Sequence, residues 1–313
     1  MRAVLLLSIV FVFASAELLT RTKVLMGTFA TIKLDANESR HFSEAFERLQ
    51  EVEDALSSYK PSSPIFLLNQ NKLVTLHPLT YEALQKSLNY YDVTDGYFNI
   101  AIGSVTKDLY RFGEQERLPS SDLLRKSSTT ISELKFTEKK AFISNNIKID
   151  LGGMGKGFGV DKAVEYLHAK GLIKGVVGLS GDIRCLNICK MQIQNPFLDG
   201  VLAEFTTKHL NTSISTSGNY NRYVRDTAHN HLINPKTKIS QKSFASITLI
   251  SELSNSDIDA YATAASVMPK ELSYAFLDSL ALAYIIIESD GKRVVSENID
   301  AYVSDLRFED GVK

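Results

Sequence analysis

The sequence predicts an α+β fold with mixed, largely antiparallel sheets, and three features predict it. Strand-like runs at 188–193, 202–208 and 211–217 follow one another closely, an antiparallel succession that a purely doubly wound sheet does not produce. Helical periodicity is strong at 43–56 and 80–93. A short apolar strand ending at Ile149-Asp150-Leu151 runs through a glycine-rich turn into a further helix.

In chain order, residues 22–35 alternate as a strand, and 43–56 carry Phe46, Leu49, Val52 and Leu56 at helical spacing. The next helix spans 80–93, with Leu84, Leu88 and Tyr91 on one face and Gly96 beyond its end. After the glycine turn, Val160, Ala163, Val164 and Leu167 mark an amphipathic helix stopped by Gly171, and 174–183 return as one buried strand. Residues 244–251 and 281–288 are late strands, and between them 256–268 form an alanine-rich helix that Ser256 can cap. No internal repeat, low-complexity tract or linker divides the chain, so a single domain is expected over 17–313.

Ahead of that domain, Met1-Arg2, an apolar run over 3–13 and Ala14-Ser15-Ala16 have the order of a secretory signal. The expectation is a leader over 1–16, cleaved after Ala16, and an exported, periplasmic protein; an uncleaved anchor is the alternative. No cysteine stands near the cleavage site to take a lipid. Hydrophobic content of 44% and charged content of 23% are those of a globular protein, and a formal net charge of −1 argues against a nucleic-acid partner. The two cysteines, Cys185 and Cys189, would lie ~13 Å apart in a straight strand, beyond disulfide reach. Across a tight hairpin they meet, so a bond and two free thiols both remain open. No second ligand pair accompanies them for zinc.

The segment Ile149-Asp150-Leu151-Gly152-Gly153-Met154-Gly155-Lys156-Gly157-Phe158-Gly159 is suited to an anion. Glycines let backbone N–H groups approach a phosphate, a helix N-terminus adds its dipole, and Lys156 adds a full charge. It is not a P-loop, because Asp150 and Gly157 stand where that motif has glycine and a hydroxyl. Nor is it the dinucleotide fingerprint, whose last glycine is replaced in every register by Phe158, Val160 or Lys162. On these residues alone, a structural turn with a surface lysine competes with the phosphate cradle. Asp259 and Thr263, four apart on a helix, direct a carboxylate and a hydroxyl to one spot, a pairing that suits Mg²⁺ and that is also common on solvated helices.

Asp150-Leu151-Gly152-Gly153-Met154-Gly155-Lys156-Gly157 resembles the D-L-G-G-I-A-K-G box of the FAD:protein FMN transferases, the ApbE-like flavin transferases. Further boxes follow in that family's order: Met26-Gly27-Thr28, Leu56-Ser57-Ser58-Tyr59-Lys60-Pro61, Gly96-Tyr97-Phe98-Asn99, Ser180-Gly181-Asp182-Ile183, Thr216-Ser217-Gly218, His231-Leu232-Ile233-Asn234-Pro235 and Asp259-Ala260-Tyr261-Ala262-Thr263. The resemblance implies two intimately packed lobes with the flavin nucleotide between them. It implies Mg²⁺ held by Asp259, Thr263 and the Gly153 carbonyl, and FAD contacts at Met26, Tyr59, Tyr97, Phe98, Asn99, Asp150, Lys156 and Ile233.

The reaction it implies moves FMN from FAD to a Thr or Ser hydroxyl of a target electron-transfer protein, secreted or membrane-associated, with release of AMP. Lys156 would face the pyrophosphate, and His231 is the candidate base, with orientation of its turn or contact with the flavin as its other roles. The chain departs from the family pattern at Asn99 and Asn234, where aspartates are usual, and at Ala101, Ser180, Lys236 and Lys238. Two alternatives stand beside that reaction: a FAD pyrophosphatase, in which water attacks at the same site to give FMN and AMP, and, given those changes, a non-catalytic periplasmic flavin-binding protein. A serine hydrolase is excluded by the lack of a G-x-S-x-G elbow around Ser180 or Ser217.

Overall fold

The computed structural model describes residues 18–220 and 222–309; the expected leader at 1–16 lies outside them. The fold is α+β, with the antiparallel sheets that the strand succession predicts. The principal sheet has eight strands in the order β1-β2-β6-β7-β10-β11-β12-β13. These are β1 (Leu18–Leu25), β2 (Thr28–Asp35), β6 (Val176–Leu179), β7 (Asp182–Cys185), β10 (Thr212–Gly218), β11 (Phe244–Ser251), β12 (Ala283–Glu288) and β13 (Arg293–Val295). Every pairing in it is antiparallel. Two three-stranded sheets flank it: β3 (Leu73–Thr75), β5 (Lys140–Ile143) and β4 (Leu134–Phe136) in one, and β8 (Lys190–Gln194), β9 (Val201–Thr207) and β14 (Val303–Phe308) in the other.

Two expected single strands are hairpins. The 22–35 run folds back at Met26-Gly27, where Leu25 pairs with Thr28. Both turn residues have positive φ, 52° and 72°, as a two-residue type I′ turn requires. The 174–183 run likewise breaks at Ser180-Gly181, with Ser180 at φ 58° and Leu179 pairing with Asp182. Alternation continues across such a turn because the partner strand has the same period. The pattern therefore hides the reversal.

The predicted helices appear as α1 (Phe42–Leu56), α3 (Pro78–Val93), α6 (Gly155–Ala169) and α7 (Asn255–Val267). Ser256 is not the cap of α7: Ser254 takes that position and accepts from the Asp257 N–H, which puts Ser256 inside the first turn. Shorter helices are α2 (Pro64–Asn71), α4 (Gly103–Val105) leading into a π turn (Thr106–Tyr110), α5 (Ser121–Lys126), α8 (Lys270–Asp278) and α9 (Ile299–Tyr302). No helix among the described residues is long and apolar enough to cross a membrane.

Helix α6 is the hinge of the packing. Phe158 belongs to the large core with α3, α7 and β11, while Val160, Ala163, Val164 and Leu167 close a second core against α1, β2 and β6. A third core lies beneath the β8-β9-β14 sheet and includes Cys185 and Cys189. These two cysteines are buried and unbonded: the Cys189 thiol donates to Asn187 O at 3.2 Å, and the Cys185 thiol points to Met191 Sδ at 3.7 Å. At Gly157 α6 meets α7 so closely that a Cβ would lie 2.3 Å from Asn255 O and 2.9 Å from Asp259 Cβ.

Candidate active site between the glycine turn and helix α7

Gly157 brings the start of α6 against α7, and the same contact decides what the helix N-terminus faces. The Gly157 N–H, one of the first-turn donors a helix leaves unpaired, donates to Asp259 Oδ2 at 3.0 Å. Lys156, one residue earlier, reaches both Asp259 oxygens at 3.4 Å and Asp182 Oδ2 at 2.6 Å. Asp182 also accepts from Ser215 Oγ at 2.6 Å on the neighbouring strand. The Asp182 and Asp259 side chains are 1% and 3% exposed, whereas Lys156 is 30% exposed. Two buried carboxylates thus share one ammonium. Burial first, then the facing Asp182, push Asp259 up to about 7. Burial alone would lower Lys156, but Asp182 and Asp259 together raise it above its ordinary value.

Thr263, one turn along α7 from Asp259, donates from Oγ1 to the Gly153 carbonyl at 3.2 Å. A Cβ on Gly153 would come within 2.9 Å of Thr263 Cγ2 and 3.3 Å of the Phe98 ring, so the glycine is required for that approach. Gly153 O, Thr263 Oγ1 and the Asp259 carboxylate are therefore brought to neighbouring places by the α6–α7 contact. The described residues contain no cluster of three or more His, Cys, Asp or Glu; the oxygen set is of mixed type, as Mg²⁺ accepts. The three charges around Lys156 sum to −1 when both acids are ionised, and a hard cation would relieve that excess.

On the other side of the turn Asp150 accepts from Thr106 Oγ1 at 2.7 Å and the Gly152 N–H at 3.0 Å, and Lys107 stands 3.5 Å away. Burial would raise its carboxyl, but Lys107, these two donors and Arg222 hold it below its ordinary value. His231 is within reach of the charges of both groups, Lys156 on one and Arg222 and Asp150 on the other. Its Nδ1 is 3.1 Å from the Arg222 carbonyl. A carbonyl only accepts, so Nδ1 carries the proton and Nε2 keeps its lone pair. Burial first, then the charges of Arg222 and Lys156, lower this histidine to about 4. It is neutral at neutral pH.

The other sequence-predicted positions divide. Tyr59, 42% exposed, places its hydroxyl 2.6 Å from Lys107 Nζ and 2.9 Å from Arg222 Nη2. Met26 sits at the hairpin tip, its side chain beside Gly155 and Gly159 and its N–H on Glu53 at 3.0 Å. Phe98 is buried under Gly153 and edge-on to Tyr90, and Ile233 is buried with Val105, Tyr110, Phe112 and Val224. Tyr97 carries Lys236 Nζ 4.0 Å above its ring. Asn99 donates to Thr129 O at 2.8 Å and accepts from the Ala101 N–H at 2.9 Å. Asn234 donates to Val267 O at 2.7 Å. In both places the amide N–H₂ makes a bond to a carbonyl that an ionised carboxylate has no proton to make, so these departures are locally satisfied.

Three charged residues were not singled out for the site. Asp182 had a signal, an acid within the apolar 174–183 run, but not its partner; Lys107 and Arg222 had none. The profile of the ApbE family matches residues 26–286. The chain belongs to this family. Among curated relatives it is 28% identical over 298 residues to the FAD:protein FMN transferase of Haemophilus influenzae, covering 85% of each chain. With the FAD:protein FMN transferase of Vibrio cholerae it shares 25% over 307 residues, 89% of this chain and 91% of that one. Of solved structures, the ApbE protein of Thermotoga maritima superposes with a TM-score of 0.84 at 21% identity, covering 92% of this chain and 100% of that one. The flavin transferase ApbE of Vibrio cholerae does so at 0.78 and 23%, covering 92% and 99%. These likenesses establish the ApbE fold.

Proposed function

We propose that this protein is a FAD:protein FMN transferase that uses FAD as substrate, carries FMN to a Ser or Thr hydroxyl of an acceptor protein and releases AMP. The observation that carries the reading is the meeting of Lys156, Asp182, Asp259, Thr263 and Gly153 at one α6–α7 contact, in a chain whose family and relatives are flavin transferases. The uncompensated carboxylate charge fits a magnesium ion, which the Gly153 carbonyl, Asp259 and Thr263 would hold. When bound, it would neutralise charge on the phosphate oxygens.

Transfer needs one bond made and one broken at the FMN phosphorus. The acceptor oxygen bonds to it as the bond to the bridging oxygen breaks, and AMP departs with that oxygen and its electron pair. The hydroxyl proton goes to His231 Nε2, which the Arg222 carbonyl keeps free and basic. Burial first, then Arg222 and Lys156, weaken this base in the free protein. A bound polyphosphate would offset the part that the two charges contribute.

Export of the protein and an exported or membrane-associated electron-transfer acceptor are part of the proposal; they rest on the leader-like residues 1–16. The test is incubation of the purified protein with FAD, Mg²⁺ and a candidate acceptor, with intact mass as readout. A mass increase equal to one FMN on the acceptor, with AMP formed in equal amount, is expected. AMP and free FMN without adduct would show hydrolysis instead, and no turnover at all would leave a flavin-binding protein.

A further inference from the structure

Arg222 is placed as few surface arginines are. Its carbonyl is pinned by the His231 N–H and ring, both at 3.1 Å. Its guanidinium lies 5.7 Å from the Phe112 ring centroid, and Nη2 donates to the Tyr59 hydroxyl at 2.9 Å. Lys107 Nζ donates to the same phenol oxygen at 2.6 Å, and that oxygen passes its own proton to Phe112 O at 2.8 Å. The phenol is therefore saturated. Two cations stand within hydrogen-bond reach of one neutral oxygen, an arrangement that costs energy unless negative charge is near.

The charge available is too small. Lys107 has Asp150 at 3.5 Å, while the neighbouring Asp108 is paired with Lys148. Among the described residues no carboxylate lies within 4.0 Å of the Arg222 guanidinium. A guanidinium has five N–H donors in a fixed fork, and among the described residues one of them is used, on Tyr59. Gly113, at φ 78°, leaves the face open: a Cβ there would lie 3.0 Å from both Arg222 Nη2 and the Tyr59 oxygen. Lys107 also lines a neighbouring polar cleft of about 330 Å³ with Asp108, Arg111, Glu114, Arg117 and Lys148, which Arg222 does not border. The group is open to solvent through Tyr59, which is 42% exposed.

We infer that Arg222, with Lys107 beside it, is an anion-binding station that grips a phosphate of the flavin dinucleotide on the Asp150 side of the glycine turn. Lys156 cannot do this alone, since Asp182 and Asp259 already claim its charge. Arg222 offers what Lys156 lacks, a planar donor fork with no carboxylate partner and a fixed backbone. The inference rests on the transferase reading and adds a residue to its substrate grip.

The test is equilibrium titration of FAD, FMN, AMP and riboflavin into the full-length protein and its Arg222→Ala and Arg222→Lys variants, with thermal melting to confirm folding. Arg222→Ala is expected to weaken FAD by roughly ten- to a hundredfold, the worth of a charge-assisted hydrogen bond to phosphate. FMN or AMP weakens with it, according to which phosphate is gripped, and riboflavin changes less than about twofold. Arg222→Lys recovers part of the loss. Equal weakening of FAD and riboflavin, or loss with neither FMN nor AMP, would overturn the station and leave the transferase reading standing. Failure of the unaltered protein to bind FAD would overturn both.

Discussion

The two charged groups that flank the glycine turn carry opposite imbalances. Around Lys156 two buried carboxylates face one ammonium, and Asp259 is pushed up in consequence. Around Tyr59 two cations face one carboxylate, and Asp150 is held down in consequence. Charge buried without compensation is costly, so each side states what a ligand has to bring: a cation to the first, an anion to the second. A dinucleotide phosphate accompanied by Mg²⁺ brings both. His231 is lowered first by burial and then by Arg222 and Lys156, one cation from each group.

The comparison can be broken at several points. The largest effect is expected at His231, because it is the neutral base within reach of both groups. His231→Gln should lower turnover by about 10²- to 10⁴-fold and leave FAD affinity within a factor of two, measured by AMP release and by flavin titration. An equal loss in affinity would make His231 a binding residue instead.

Lys156→Ala sharpens the acidic side. It leaves Asp182 and Asp259 facing each other, and since Lys156 is 30% exposed the cost falls at or below the range for breaking a buried pair, about 2–3 kcal/mol. Added Mg²⁺ should raise the melting temperature of this variant more than that of the unaltered protein. FAD should also weaken more than riboflavin; equal weakening would put Lys156 away from the phosphates.

Gly157→Ala tests whether the α6–α7 approach makes the site. Its Cβ would meet backbone atoms of Asn255, so α7 has to shift, at about 1–3 kcal/mol, carrying Asp259 and Thr263 away from Gly153. Denaturant midpoints and Mg²⁺ affinity should fall together. A destabilised protein with unchanged Mg²⁺ affinity would separate the packing from the site.

The smallest effect is one of pH. His231 is held at about 4 in the fold, against about 6.5 when free. The unfolded chain binds the extra proton between these values. The contribution of a neutral His231 to stability is therefore complete above pH 6.5 and lost as pH falls toward 4. Compared with His231→Gln, the unaltered protein should lose stability faster over that window, read from denaturant midpoints at pH 7 and pH 5. Parallel curves would mean that the histidine titrates normally.

Much of this was legible in the sequence. Apolar spacing located α1, α3, α6 and β11, an alanine-rich run located α7, and the glycine run identified where α6 begins. The reversals at Met26-Gly27 and Ser180-Gly181 were not legible, because alternation reads the same on both arms of a hairpin and a non-glycine residue at positive φ leaves no periodic mark. Asp259, Thr263 and Gly153 could be grouped because helical spacing and a resembling motif placed them. Asp182 meets Lys156 across 26 positions of sequence, and Arg222 meets Tyr59 across 163. Pairings at that range belong to tertiary structure. The charge imbalances are sums over such pairings, so neither was visible along the chain.

On this account a cation belongs beside Asp259 and an anion beside Arg222. The most direct measurement is the thermal melting of the unaltered protein and of Asp259→Asn, each titrated separately with MgCl₂ and with AMP. Mg²⁺ should raise the melting temperature of the unaltered protein and not that of Asp259→Asn, while AMP stabilises both. Equal stabilisation of the two proteins by Mg²⁺, or loss of the AMP effect along with the Mg²⁺ effect, would contradict the division into two groups of opposite charge.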